Sequence, residues 1–194
     1  MSDDPLQGRY TSREVLIDLA GLVAVAAALA AIHVTLPESV RVALSFEYGA
    51  ADPWTPLTAG YVHASVSHLR GNLVGYLMTV VYAYTLALHS DSRAWFWRTA
   101  VAVIVVVPPL VTLANWTYFS YQGFEPGVLS RGFSGAVAGF GGALLSALYI
   151  FIRDRYDHAL AYGVGFTLLF ALALLVDVRL GEMTPLLLAL GGAG

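Results

Sequence analysis

The chain has 194 residues, of which 58% are hydrophobic and only 12% charged, and its mean hydropathy is +0.69. Soluble domains carry about a quarter charged residues, so this composition indicates a membrane protein. The net charge is −3 and all ten basic residues are arginine, which excludes a basic nucleic-acid-binding face and a serine–lysine dyad. The absence of cysteine excludes disulfides, thiol nucleophiles and thiolate metal sites.

Five apolar stretches along the chain are long enough to cross a bilayer, which takes about 17–25 residues. They are Val15–Leu36, Val66–Leu88, Ala94–Phe119, Phe133–Ile152 and Ala159–Val176, followed by a short apolar stub at Met183–Leu190. We therefore predict an all-α, polytopic membrane helix bundle. Residues 1–14 are expected to form a cytoplasmic tail, and residues 15–194 the transmembrane domain.

The placement of arginine predicts the orientation of these spans. The N-terminal tail and the second-to-third and fourth-to-fifth turns hold Arg9, Arg13, Arg93, Arg98, Arg153 and Arg155. The opposite loops hold Arg41, Arg131 and Arg179. The positive-inside rule then puts the N-terminus in the cytoplasm, so the second and fourth spans begin at the outer face of the cell membrane.

A polar motif, His63-Ala-Ser-Val-Ser-His68-Leu-Arg-Gly-Asn72, opens the second span. His68 and Asn72 are four residues apart and share one helix face. Both donate hydrogen bonds, and two donors in a low-dielectric site suit the oxyanion of acyl transfer. His63 is expected at the helix entrance, supporting the loop Pro53–Thr58. The alternative is that these histidines rest in the interfacial zone, which leaves Asn72 inside a span unexplained.

A second motif, Gly132-Phe-Ser134-Gly135, opens the fourth span. Gly135, Gly139 and Gly142 recur at helical spacing, which is typical of close packing between membrane helices, and Ser134 fits that stripe too. A serine flanked by glycines at a helix start also has an accessible hydroxyl and a backbone N–H free to bind an oxyanion. The residues alone leave both interpretations open.

The stretch Trp54–Asn72, followed two spans later by Gly132–Gly135, resembles the rhomboid family of intramembrane serine proteases. The resemblance implies a rhomboid-like fold in which residues 37–62 form a large first loop lying partly in the outer leaflet. It implies a serine endopeptidase that cleaves peptide bonds in or near the transmembrane segments of membrane-protein substrates. No metal, nucleotide or redox cofactor is implied.

Carried over residue by residue, the resemblance implies Ser134 as the nucleophile. His68, Asn72 and the backbone N–H of Ser134 would form the oxyanion hole, with His63 as an accessory residue. Ala138 stands where the family often has an aromatic residue packed on the catalytic histidine.

The general base of rhomboids is a histidine on a sixth core helix, and this sequence reaches Gly194 before such a helix. His158 follows Ser134 at a distance of about 36 Å along a continuous helix, too far for proton transfer. His89 falls at a cytoplasmic turn, and no motif surrounds His33. We therefore expect a rhomboid truncated at its C-terminus. The alternatives are a rhomboid-like pseudoprotease that binds client transmembrane helices without cleavage, and a small structural membrane protein.

Overall fold

The computed structural model describes residues 10–50, 52–123 and 127–180, without the side chains of Gln122 and residues 174–180. About 80% of the structure is helical. Its internal contacts divide the chain into one compact unit that ends at Ala147 and a second that begins at Leu148.

Three helices are long and apolar enough to cross a membrane: α1 (Ser12–Thr35), α4 (Val66–His89) and α7 (Ser134–Arg155). They confirm the first, second and fourth predicted spans. Helix α1 begins inside the predicted tail of residues 1–14, because Thr11 and Glu14 form a capping box at its N-terminus. These helices indicate a membrane protein.

The third predicted span is not one straight helix. It consists of α5 (Arg93–Val105) and α6 (Val107–Gln122), which meet at an angle of 43°. The break falls beside Pro108 and Pro109. Proline has no backbone N–H to donate, and its ring clashes with the preceding turn of a helix. Counted as one bent span, the pair raises the number of candidate spans to four in the described residues.

The second compact unit contains the end of α7 and helix α8 (His158–Leu180). Asp157 precedes α8, and its carboxylate accepts a hydrogen bond from the Leu160 N–H at 2.7 Å. The apolar stretch described in α8 is His158–Ala173, and the side chains of residues 174–180 of this helix are not described, so the fifth predicted span stays a prediction. The predicted stub Met183–Leu190 lies outside the described residues.

Between α1 and α4 the chain forms the short elements of the first loop. They are α2 (Glu38–Ala43), β1 (Phe46–Glu47), α3 (Thr55–Thr58) and a 3₁₀ turn at Ala59–Tyr61. Strand β1 pairs antiparallel with β2 (Leu129–Ser130), which lies just before α7. Two-residue strands have too little periodicity to be predicted from sequence.

Helices α4 and α7 pack closely in the core of the first unit. The Tyr76 ring lies 5.2 Å from that of Phe140 and 5.9 Å from that of Phe133. A β-carbon on Gly75 would lie 2.8 Å from a methyl group of Val137, so only glycine permits this approach. This packing brings the N-terminal ends of both helices, and with them both polar motifs, together.

The predicted glycine stripe of α7 is confirmed in part. Gly135 faces Val111, and Gly139 faces Val103 and Val107, at distances that leave almost no room for a β-carbon. Among the described residues no atom lies within 4 Å of a β-carbon position on Gly142, so its packing role stays a prediction. Gly142 continues the exposed face of α7, which also carries Ser134, Ala138 and Ser146.

A buried ion pair ties α1 to the start of α5. The Asp18 carboxylate accepts two hydrogen bonds from the Arg93 guanidinium, at 2.6 and 2.8 Å. The hydroxyl of Tyr84 in α4 donates a third at 2.6 Å. A charged residue inside an apolar span requires such partners, because hydrocarbon offers none.

Candidate functional site

Helix α4 brings His68 and Asn72 to the start of α7. Ser65 caps α4, its hydroxyl accepting the His68 N–H at 3.2 Å, so the helix begins at Val66. His68 is partly buried and Asn72 is buried, and both contact the space beside Gly132. The two polar motifs, about sixty residues apart in sequence, therefore form one site.

Gly132 makes this contact possible. Its φ of +124° lies in the region that side chains rarely adopt. A β-carbon there would also lie 2.5 Å from Cε1 and 2.7 Å from Nε2 of His68, and 3.4 Å from Nδ2 of Asn72. Both the positive φ and the close approach of His68 therefore require glycine at residue 132, two residues before Ser134.

Asn72 carries a buried donor that nothing in the described part of the chain satisfies. Its Nδ2 atom is shielded from solvent and has no hydrogen-bond partner. Buried polar groups without partners are rare, and each one points to a strained, ligand-binding or catalytic position. Here the unsatisfied amide lies beside Gly132, in the turn that leads into Ser134.

His63 is fully buried just before α4 begins, as expected for the helix entrance. Its Nε2 accepts the backbone N–H of Phe133 at 3.4 Å, and its ring centroid lies 5.4 Å from that of His68. The hydrogen bond is with the turn before Ser134, and support of the loop Pro53–Thr58 by His63 stays a prediction. Burial, reinforced by the nearby His68, lowers the pKa of His63 to about 4, so the ring is neutral at pH 7.

Ser134 is the first residue of α7 and is exposed. The first four N–H groups of a helix have no partner within it, so the Ser134 N–H is suited to bind an oxygen. Ser134 also lines a cavity of about 50 Å³, together with Gly60, Thr112, Asn115 and Arg131. A cavity of this size with polar walls has room for water.

Thr112 and Asn115 of α6 are wall residues of this cavity that our sequence analysis missed. The available signal was an asparagine inside a predicted apolar span, which marks a functional position by default. The bend at Pro108, another wall residue, determines where these side chains lie, and that bend was not predicted.

The remaining histidines lie elsewhere. His33, near the end of α1, is buried and hydrogen-bonded to the Arg41 guanidinium. His89 is the last residue of α4 and bonds the Thr85 carbonyl at 2.8 Å, about 32 Å along the helix from His68. His158 begins α8.

Ion pairs connect the first loop to the residue before Gly132. The Glu38 carboxylate forms an ion pair with Arg41 and accepts a hydrogen bond from Arg131 at 2.9 Å. Arg41 also donates to the backbone carbonyl of His63 at 3.3 Å. The hydrogen bond from Arg131 lowers the pKa of Glu38, which keeps the carboxylate ionised at neutral pH.

No family model, curated protein or solved structure matches this chain. In the described residues, no group of three or more His, Asp or Glu side chains is placed to hold a metal ion. The chemistry of the site must therefore be inferred from its own geometry.

Proposed function

We propose that the chain is a rhomboid-type intramembrane serine endopeptidase that cleaves membrane-protein substrates in or near their transmembrane segments. The observation that carries this proposal is the buried, unsatisfied Nδ2 of Asn72 beside Gly132. A donor held in a low-dielectric site without a partner is preorganised for the negative charge that develops in acyl transfer. The contact of both motifs with Gly132 supports the same assignment.

In this mechanism the Ser134 hydroxyl oxygen attacks a peptide carbonyl and loses its proton to a general base. The carbonyl oxygen becomes an oxyanion bound by His68, by Asn72 and by the Ser134 N–H. Collapse of the tetrahedral intermediate breaks the C–N bond, and the base returns the proton to the leaving amine. Water from the cavity beside Ser134 then hydrolyses the acyl-enzyme.

We propose that the general base is a histidine on a further helix that packs against α7, as the rhomboid resemblance implies. A base must lie within about 3 Å of the serine hydroxyl. The exposed face of α7, with Ser134, Ala138, Gly142 and Ser146, supports this placement. Its small side chains permit a helix to approach closely.

The proposed bundle has five spans in this sequence, with α8 as the fifth. The N-terminus is cytoplasmic and the site lies toward the outer face of the cell membrane. The arginine distribution supports this orientation. A substrate helix must unwind locally there, because its carbonyl groups are otherwise hydrogen-bonded within the helix.

The second candidate is a rhomboid-like pseudoprotease that binds client transmembrane helices without cleaving them. The same small, exposed face of α7 favours it, since close helix packing alone suffices for capture. The unsatisfied amide of Asn72 favours the protease, because a helix-binding protein has no use for an oxyanion donor.

A cleavage assay separates these candidates. The protein, with any chain that follows Gly194 in its gene, is reconstituted in liposomes with a single-span reporter that carries helix-breaking residues. We expect cleavage that Ser134→Ala abolishes and Ser146→Ala retains. Ser146 is the matched control because it lies on the same exposed face and its hydroxyl donates to the Gly142 carbonyl of its own helix. Reporter binding without cleavage by any of the three proteins would contradict the protease.

A further inference from the structure

Five consecutive residues leading to Ser134 are each held by the segment between α1 and α4. Two are held by strand pairing, one by an ion pair and two by backbone hydrogen bonds. The pairs are Leu129 with Glu47, Ser130 with Phe46, Arg131 with Glu38, Gly132 with Ala59, and Phe133 with His63. We call this set of contacts the first-loop clamp.

The ion pair of Glu38 with Arg131 connects the part of the clamp before Gly132 to the part after it. Glu38 lies between Arg131, next to Gly132, and Arg41, which donates to the carbonyl of His63. His63 in turn accepts the Phe133 N–H. One carboxylate therefore connects to the clamp on both sides of Gly132.

Stability alone is a poor explanation for this carboxylate. The Glu38 side chain is 50% exposed, and exposed ion pairs contribute about 0–1 kcal/mol to folding. Positioning of the catalytic groups is a better explanation, because a shift of about 1 Å at such a group costs roughly 10²-fold in rate.

We propose that Glu38 is a positioning residue: through Arg131 and Arg41 it holds the turn before α7 so that residue 134 faces the donors of His68 and Asn72. This inference rests on the proposed function, since it concerns the same oxyanion site. It adds a residue, distant from the motifs in sequence, whose effect is on geometry.

The absence of cysteine permits a test that needs no general base. The Ser134→Cys variant carries one thiol, and its alkylation by iodoacetamide is measured against pH in detergent. A helix N-terminus and nearby donors stabilise a thiolate, so we expect the pKa of this thiol at about 7.5, against about 8.5 for a free thiol. At pH 7 the thiolate fraction is then about eightfold that of a free thiol, but alkylation is only about threefold faster because a less basic thiolate is a weaker nucleophile. His68→Ala or Asn72→Ala slows it.

Adding Glu38→Gln to this variant isolates the clamp. Removal of a negative charge would by itself favour the thiolate and lower the thiol pKa. Loss of positioning has the opposite effect: it raises the thiol pKa back toward about 8.5 and slows alkylation at pH 7 by about threefold. Arg131→Lys retains the fast reaction, because the pair uses a single nitrogen of Arg131.

Asp154→Asn serves as the control, since it removes an equally exposed carboxylate paired with Arg153 at the far end of α7. A Ser134→Cys thiol with an ordinary pKa, insensitive to His68→Ala, would overturn both the oxyanion site and the clamp. A lowered pKa that Glu38→Gln leaves unchanged, or lowers further, would overturn the clamp alone.

Discussion

His68 lies so close to Gly132 that any side chain at residue 132 would meet the imidazole ring. The contact joins the second and fourth predicted spans at their N-terminal ends, directly before Ser134. It explains why a glycine with φ of +124° precedes the proposed nucleophile.

Gly132→Ala is expected to disable the site. The β-carbon displaces His68 and forces a residue with a side chain into a strained conformation, which costs about 1–3 kcal/mol. We expect a lower melting temperature and loss of Ser134-dependent labelling by a fluorophosphonate probe. Gly141→Ala is the control, because no atom of the described residues lies within 4 Å of its β-carbon position and it is not one of the exposed small residues of α7. Equal labelling of the two variants would show that the close contact is unimportant.

Removal of either oxyanion donor is expected to slow cleavage without unfolding the protein. His68→Ala and Asn72→Ala should each lower kcat about 10²–10³-fold, the usual effect of losing one oxyanion donor. The measurement is cleavage of the reporter in liposomes, with thermal unfolding as the folding control. Rates like those of the parent protein would remove these residues from the mechanism.

His63 is expected to make stability depend on pH. Its pKa is about 4 in the folded protein and 6.5 when solvated, so the unfolded chain binds the extra proton between these values. Stability is therefore greatest above pH 6.5 and falls toward pH 4, by an order of magnitude of about 3 kcal/mol. When the free energy of unfolding is measured from pH 4 to 8 and plotted against pH, its slope should be smaller for His63→Gln than for the parent. An unchanged slope would mean that His63 is not the buried titrating group.

The Asp18–Arg93 pair is expected to stabilise the packing of α1 on α4 and α5. Breaking a buried pair costs about 3–5 kcal/mol, and we expect about 2–3 because nearly a third of the Arg93 side chain is exposed. Asp18→Asn should lower the melting temperature clearly. The Asp18→Asn, Arg93→Gln double variant should recover part of the loss, since no charge is then left unpaired. If the double variant were less stable than both single variants, the two residues would not act as a pair.

The sequence was sufficient for the long helices and for the meeting of the two motifs. Apolar length predicted α1, α4 and α7 to within a few residues, and the four-residue spacing put His68 and Asn72 on one face. It did not predict the bend at Pro108, because a proline in a membrane helix is tolerated in both straight and broken helices. It also missed the clamp, since contacts such as Glu38 with Arg131 join residues 93 positions apart and have no periodic signal.

The neighbours of His63 and Gly142 also could not be predicted from the sequence, because they depend on tertiary packing. His63 lies at the helix entrance as predicted, yet its ring bonds Phe133, seventy positions away in the sequence. Gly142 follows Gly135 and Gly139 at helical spacing, but α5 and α6 contact the positions of Gly135 and Gly139 and not that of Gly142. Helical spacing identifies a shared face without identifying what packs against it.

The most direct test of the central claim is to find which residue a fluorophosphonate modifies. The protein, with any chain encoded beyond Gly194, is treated in detergent, digested and analysed by mass spectrometry. The account predicts phosphonylation at Ser134, lost when the protein is first unfolded and strongly reduced by Asn72→Ala. A folded protein that carries no modification at Ser134 would contradict it.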